Sequence, residues 1–204
     1  MSVQPFSTDQ QDALQELANM AMGRAGAVLA EMLDAYIELS VPRVRLIDSD
    51  ALSDAVMELT QTRESVAAVR QSFVDGLNGE AIALFSEQGC RGLADLLGHD
   101  LVTEDVEREL LLDVSNILLG SVLRGLADHT STRLSLSRPT ILTLSAPVSK
   151  LLHPEHLAWD QALLVEVNFS LTERGFACHL VLLMPEDSID TMRAAVNRLL
   201  EDIG

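Results

Sequence analysis

The sequence predicts an α/β fold of the α+β kind: a single domain of two pseudo-twofold-related repeats sharing a mainly antiparallel sheet flanked by two long helices. Three observations carry this expectation. Shifting the 204-residue chain by 97 positions lays Asn19 on Asn116, Gly23 on Gly120, Pro42 on Pro139, Leu14 on Leu111 and Leu29-Ala30 on Leu126-Ala127; such self-similarity marks an internal repeat. Each half opens with a long segment of helical period and continues into extended segments. Neither half is large enough to bury a sheet face alone, so the two are expected to share one sheet and one core. The domain is read over residues 1–204, with repeats at about 9–98 and 104–202.

The first helix is expected from Asp9 to Ala35, because Leu14, Leu17, Ala18, Ala21, Ala25, Val28, Leu29 and Met32 recur at i, i+3, i+4, i+7 spacing. Ser7, Thr8 and Asp9 offer N-caps, and Asp12 and Glu16 suit the positive end of the helix dipole. A strand at Val41–Ile47 follows. Residues 64–74 and 80–86 read as strands joined by Asp75-Gly76-Leu77-Asn78-Gly79, a hairpin-like turn. A short helix at Arg91–Leu97 closes the half, with Gly98 as its stop.

The second half repeats this order. Leu111, Val114, Leu118, Val122 and Leu126 form the apolar stripe of a helix over Glu104–Asp128. Residues 134–144 read as extended. From Leu163 to Leu171 apolar residues alternate with Leu164, Glu166, Asn168 and Ser170, which is strand periodicity. Glu173-Arg174-Gly175 forms a turn, Phe176–Met184 the partner strand and Glu186–Asp202 a final helix. A two-domain reading would want a polar linker at 98–104, and Gly98-His99-Asp100 is too short to supply one.

Composition excludes several functions. An apolar content of 48% is ample for a core, but aromatics are only 3%, so that core must be aliphatic. Lys+Arg 14 against Asp+Glu 31 gives a net charge of -17. That balance argues against a nucleic-acid binder, which needs cations to neutralise phosphates, and against anionic lipid surfaces. Met1–Gln11 has no basic region followed by an apolar stretch, so no secretory signal is read there. No apolar run approaches the roughly 18–20 residues of a membrane span. Cys90 and Cys178 lie far apart in sequence and in no CxxC pair, the pattern of reduced thiols in a cytoplasmic protein.

The polar residues that repeat carry the chemistry. Asp12, Glu16 and Asn19 fall on one helical stripe that Gly23 continues and leaves low and open. Glu109, Asp113, Asn116 and Gly120 occupy the corresponding positions of the second half, and each Asn is followed by a Pro after 22 intervening residues. A polar stripe is ordinarily just a solvated face. Asn, however, is a poor interior helix former because its amide competes for backbone hydrogen bonds. Two such residues at matching positions, each with a Gly one turn later, call for a functional reason.

Asp12-x3-Glu16-x2-Asn19-x22-Pro42 resembles the active-site signature of the CheC/CheX/FliY family of chemotaxis phosphatases, and the duplicated layout is most similar to its CheC-like members. The resemblance implies hydrolysis of the aspartyl phosphate of a CheY-like response regulator. It assigns Asn19 to orienting the attacking water and Glu16 to docking on a partner lysine, with Asp113 and Asn116 their counterparts in site two. Asp12, Pro42, Glu109 and Pro139 are assigned to the substrate-binding surround. No intrinsic cofactor or metal is implied; Mg2+ would arrive with the phosphorylated receiver domain. Binding to the deamidase CheD is also implied, and a non-enzymatic receiver-binding or CheD-binding module is the alternative reading. Site two departs from the signature: Glu109 stands where the family has Asp or Ser, and Asp113 where it has Glu. An aspartate is one methylene shorter, so site one ranks above site two.

The remaining signals are structural. His153-x2-His156 spans Pro154, which disfavours one regular helix, and no further ligands lie nearby. His99, His129 and His179 are isolated, and Trp159 anchors a connection. No nucleophile elbow and no phosphate-cradling GxxxxGK or GxGxxG occurs.

Overall fold

The computed structural model describes residues 5–60, 65–98, 103–151, 160–171 and 176–203. His99, His153, Pro154, His156, Trp159 and the turn at 173–175 lie outside the described residues. In chain order the elements are α1 (Thr8–Leu33), β1 (Glu38–Leu39), β2 (Arg43–Asp48), α2 (Leu52–Thr60), β3 (Ser65–Asp75), β4 (Gly79–Ser86) and α3 (Glu87–Leu96). They continue as α4 (Glu104–Thr130), β5 (Leu134–Leu136), β6 (Thr140–Pro147), α5 (Val148–Leu151), β7 (Gln161–Leu171), β8 (Phe176–Pro185) and α6 (Glu186–Ile203).

The strands form one sheet in the order β1-β7-β8-β4-β3-β5, with β2 also paired to β7 and β6 to β3. Every pairing among them is antiparallel. At the centre, β4 and β8 pair Ala83 with Leu180, two residues 97 positions apart in the sequence. The repeat offset is therefore written into the register, and the pseudo-twofold relation runs through the middle of the sheet.

Helix ends obey the same offset. Ser7 caps α1 in a capping box with Gln10, and Thr103 caps α4 by accepting from the Val106 N–H. Asp34 and Ser131, also 97 apart, end α1 and α4 in the left-handed region at φ 47 and φ 53. Such C-caps satisfy the last carbonyls, here those of Ala30 and Ala127.

The sheet buries both faces. Leu163, Val165, Val167 and Phe169 of β7 join Ala67, Val69 and Phe73 of β3 beneath α1 and α4. The opposite face carries Val66, Ala68, Ile82, Leu84, Leu164 and Val181 beneath Leu52, Ala55 and Val56 of α2. α1 and α4 cross where Gly125 meets Ala21: a Cβ at Gly125 would lie 3.0 Å from the Ala21 Cα. By length and composition α4 could cross a membrane, but 67% of its most apolar window is buried, as suits a helix in a core. The sequence expectation of no span-length apolar run therefore overlooked α4, whose apolar residues are interleaved with polar ones rather than unbroken.

Three sequence expectations need adjustment. α2 is not anticipated by the sequence reading. The extended segment 134–144 is two strands, β5 and β6, interrupted at Ser137–Pro139, where Pro139 has no N–H to donate. The strand expected at Val41–Ile47 is found as β2, Arg43–Asp48, and is preceded by a short strand, β1, that the sequence does not anticipate.

Candidate functional site

The apolar face of α1 fixes how the helix is rotated. Leu14, Leu17, Ala18, Ala21, Met22 and Ala25 are all 5% exposed or less. That leaves Asp12, Glu16 and Asn19 exposed to solvent. None of the three makes a side-chain hydrogen bond or ion pair among the described residues. Glu16 and Asn19 are three residues apart and so lie side by side on the helix surface. One turn on, Gly23 is exposed, and a Cβ there would meet nothing within 4 Å. A carboxylate and a carboxamide thus stand beside a gap with open approach.

The Pro42 segment lies alongside. Leu39 rests on Gly26 of α1, where a Cβ would fall 2.9 Å from Leu39 Cδ1. Pro42 is buried, while Val41 remains 70% exposed. Gln15, Ser40, Val41 and Pro42 together line a surface cleft of about 390 Å³. The segment is anchored because the Ser40 N–H donates to the Asn168 carbonyl (3.0 Å) and the Asn168 N–H to Ser40 Oγ (2.9 Å).

Beneath the cleft sits a layer of polar side chains. Glu166 is 1% exposed and accepts from the Arg45 guanidinium at 3.1 Å. Burial raises its carboxyl above the usual range, against the opposing pull of Arg45. His179 Nδ1 is 2.6 Å from Asn168 Oδ1, and burial lowers the imidazole to about 4. Neutral at physiological pH, His179 donates this bond and braces β7 against β8.

In site two, Glu109, Asp113 and Asn116 are exposed, and Pro139 is half-buried. Gly120 differs from Gly23. It is buried, and a Cβ there would lie 3.1 Å from Arg124 Nη1. The low, open stripe expected of both copies is therefore found only in the first; in the second an arginine side chain reaches back over the gap, as helical side chains lean toward the N-terminus. The sequence signal for this was the offset itself, which sets Arg124 against Ala27.

Elsewhere among the described residues no better catalytic set emerges. A larger cleft of about 830 Å³ is lined by Glu87, Cys90, Glu104 and Glu107. Burial, aided by Glu107, pushes the Cys90 thiol up to about 12, and burial raises Cys178 as well, so neither is a nucleophile at neutral pH. Glu87 and Glu104 are engaged by Arg91 and Arg108. Among the described residues no group of three or more His, Cys, Asp or Glu side chains could hold a metal ion.

Glu16 and Asn19 are exposed on a long helix rather than enclosed in a pocket, a geometry open to approach by another macromolecule. Comparison with known proteins agrees with the family that the motif resembles. The CheC-like family matches residues 10–45, the span holding Asp12, Glu16, Asn19 and Pro42. The chain is 25% identical over 196 residues to the CheY-P phosphatase CheC of Bacillus subtilis, covering 92% of this chain and 94% of that protein. It is 22% identical over 175 residues to the flagellar motor switch phosphatase FliY of the same organism, covering 83% of this chain but only 44% of FliY. The crystal structure of Thermotoga maritima FliY superimposes with a TM-score of 0.72 at 16% identity, covering 95% of this chain and 98% of that one. The fold is thus that of the FliY and CheC-like proteins.

Proposed function

We propose that this protein is a response-regulator phosphatase that hydrolyses the aspartyl phosphate of a CheY-like receiver domain, working as a single CheC-like domain in the cytoplasm. The observation that carries the reading is the solvent-facing Glu16–Asn19 pair beside the open Gly23 gap. The names of the two curated relatives, both phosphatases, support it.

An acyl phosphate is already activated, so its hydrolysis chiefly needs a water held in line and charge stabilised. The Asn19 carboxamide suits the holding of water, since its carbonyl accepts a hydrogen bond from water while its amine donates another. Water then attacks phosphorus, the bond between phosphorus and the aspartyl oxygen breaks, and inorganic phosphate and the free carboxylate leave. Glu16 pairs with a lysine of the receiver, a charge-assisted contact that fixes register. A divalent cation held by the receiver would neutralise phosphoryl charge. Asp12 and Pro42 shape the docking surface.

Asn19→Ala tests this by timing phosphate loss from a phosphorylated receiver. Loss is expected to slow by about 100-fold or more, the order that a misplaced reactant costs. If the wild-type protein binds the receiver, or CheD, without shortening the phosphate lifetime, the non-enzymatic reading replaces this one.

A further inference from the structure

The two motif copies match along their helices but not around their rims. At the offset of 97, Ala27, Tyr36 and Val41 correspond to Arg124, Arg133 and Arg138, with Tyr36 and Arg133 just past the C-terminal ends of α1 and α4. Tyr36 is 81% and Val41 70% exposed, and all three arginines face solvent as well. Arg138 adjoins Pro139 as Val41 adjoins Pro42. Arg124 lies on the Asn116 stripe with its guanidinium over Gly120. The backbone at Arg133 is fixed, its carbonyl accepting from the Gly76 N–H at 2.8 Å. β5 and β6, which begin just after Arg133 and Arg138, both pack against α4.

These cations are unusual in so acidic a chain. Arg24, Arg43, Arg45, Arg70, Arg91 and Arg108 each meet a carboxylate of the protein. Arg124, Arg133 and Arg138 meet none among the described residues, and Arg124 reaches only Ser121 Oγ at 3.5 Å. Charges that a protein leaves unneutralised around one face complement a surface of opposite sign, and steer its approach.

Resting on the phosphatase reading above, we propose that the second face docks a receiver domain whose surface around the phosphorylation site is acidic, through Arg124, Arg133 and Arg138. The first face docks its receiver through the single Glu16–lysine pair and apolar contact at Val41, which is 70% exposed. One chain thereby presents two faces of different selectivity. Salt separates them by degree, because three exposed arginines are screened more than one ion pair supported by apolar contact.

The probes are the CheY-like receivers of the source organism, loaded with beryllofluoride and followed by fluorescence anisotropy. With the first face blocked by Glu16→Arg and Val41→Asp, binding at the second face is expected to weaken about tenfold between roughly 50 and 300 mM NaCl. Adding Arg124→Glu, Arg133→Glu and Arg138→Glu to that protein is expected to reduce binding more than about tenfold and to remove the salt dependence. With the second face blocked instead by Asp113→Arg and Asn116→Arg, salt is expected to weaken binding by only about threefold or less, the effect of one exposed ion pair. All these side chains are exposed, and circular dichroism checks that the variants fold. Equal salt slopes at the two faces, indifference to the arginine reversals, or no binding at the second face would each overturn the inference. If phosphate loss still depends on Asn19 in any of those cases, the phosphatase reading stands; if no receiver binds or loses phosphate at either face, that reading falls too.

Discussion

At the scale of single residues, Gly23 carries the clearest separation of function from stability. A glycine within a helix costs about 0.5–1 kcal/mol relative to a better helix former, and nothing within 4 Å requires it here. Gly23→Leu is therefore expected to leave thermal stability equal or higher while slowing receiver dephosphorylation at least about tenfold by filling the gap. Asn116→Ala is expected to slow dephosphorylation less than Asn19→Ala, because Asp113 is shorter than Glu16 and Arg124 overlies Gly120. Comparing the two variants' rates on one receiver checks that order, and its reversal would make site two the principal one. The sequence revealed the positions of Glu16 and Asn19 through spacing alone, since the buried stripe of Leu14, Leu17, Ala18 and Ala21 dictates which way the helix faces. It did not reveal the covering of Gly120, which depends on where one long, flexible side chain comes to rest.

At the scale of elements, the long helices and the β7–β8 hairpin were legible because their periodic patterns extend over many residues. α2 was not: its Leu52, Ala55 and Val56 do fall at helical spacing, but nine residues are too few to separate a short helix from a loop. The break at Ser137–Pro139 was hidden for a related reason, since a proline ends strand pairing without changing the hydrophobic pattern around it. Turn chemistry gave a firmer guide. Gly79 opens β4 where a Cβ would run into the Leu183 carbonyl oxygen and the Phe73 ring. Gly79→Ala is expected to cost about 2–3 kcal/mol, because a backbone clash cannot be relieved by a rotamer change. Urea denaturation of the variant measures this, and an unchanged midpoint would contradict the close packing of β3, β4 and β8.

At the scale of the whole molecule, the shared sheet explains why two sites can exist without two cores, and its buried polar layer predicts how stability responds to pH. His179 is held neutral by burial, with its ionisation lowered from 6.5 to about 4. Between those values the unfolded chain binds a proton that the folded protein refuses, so stability falls as pH drops through that window, by up to about 3 kcal/mol at the lower end. His179→Gln, which can still donate to Asn168, is expected to flatten this slope in denaturation curves taken from pH 7 to 4. The most direct test of the proposed chemistry follows binding and phosphate loss together, using a phosphorylated CheY-like receiver with the wild-type protein and with Asn19→Ala. Asn19→Ala is expected to keep the receiver affinity of the wild type while the maximal rate of phosphate loss falls about 100-fold or more; a maximal rate equal to that of the wild type would remove Asn19 from the reaction.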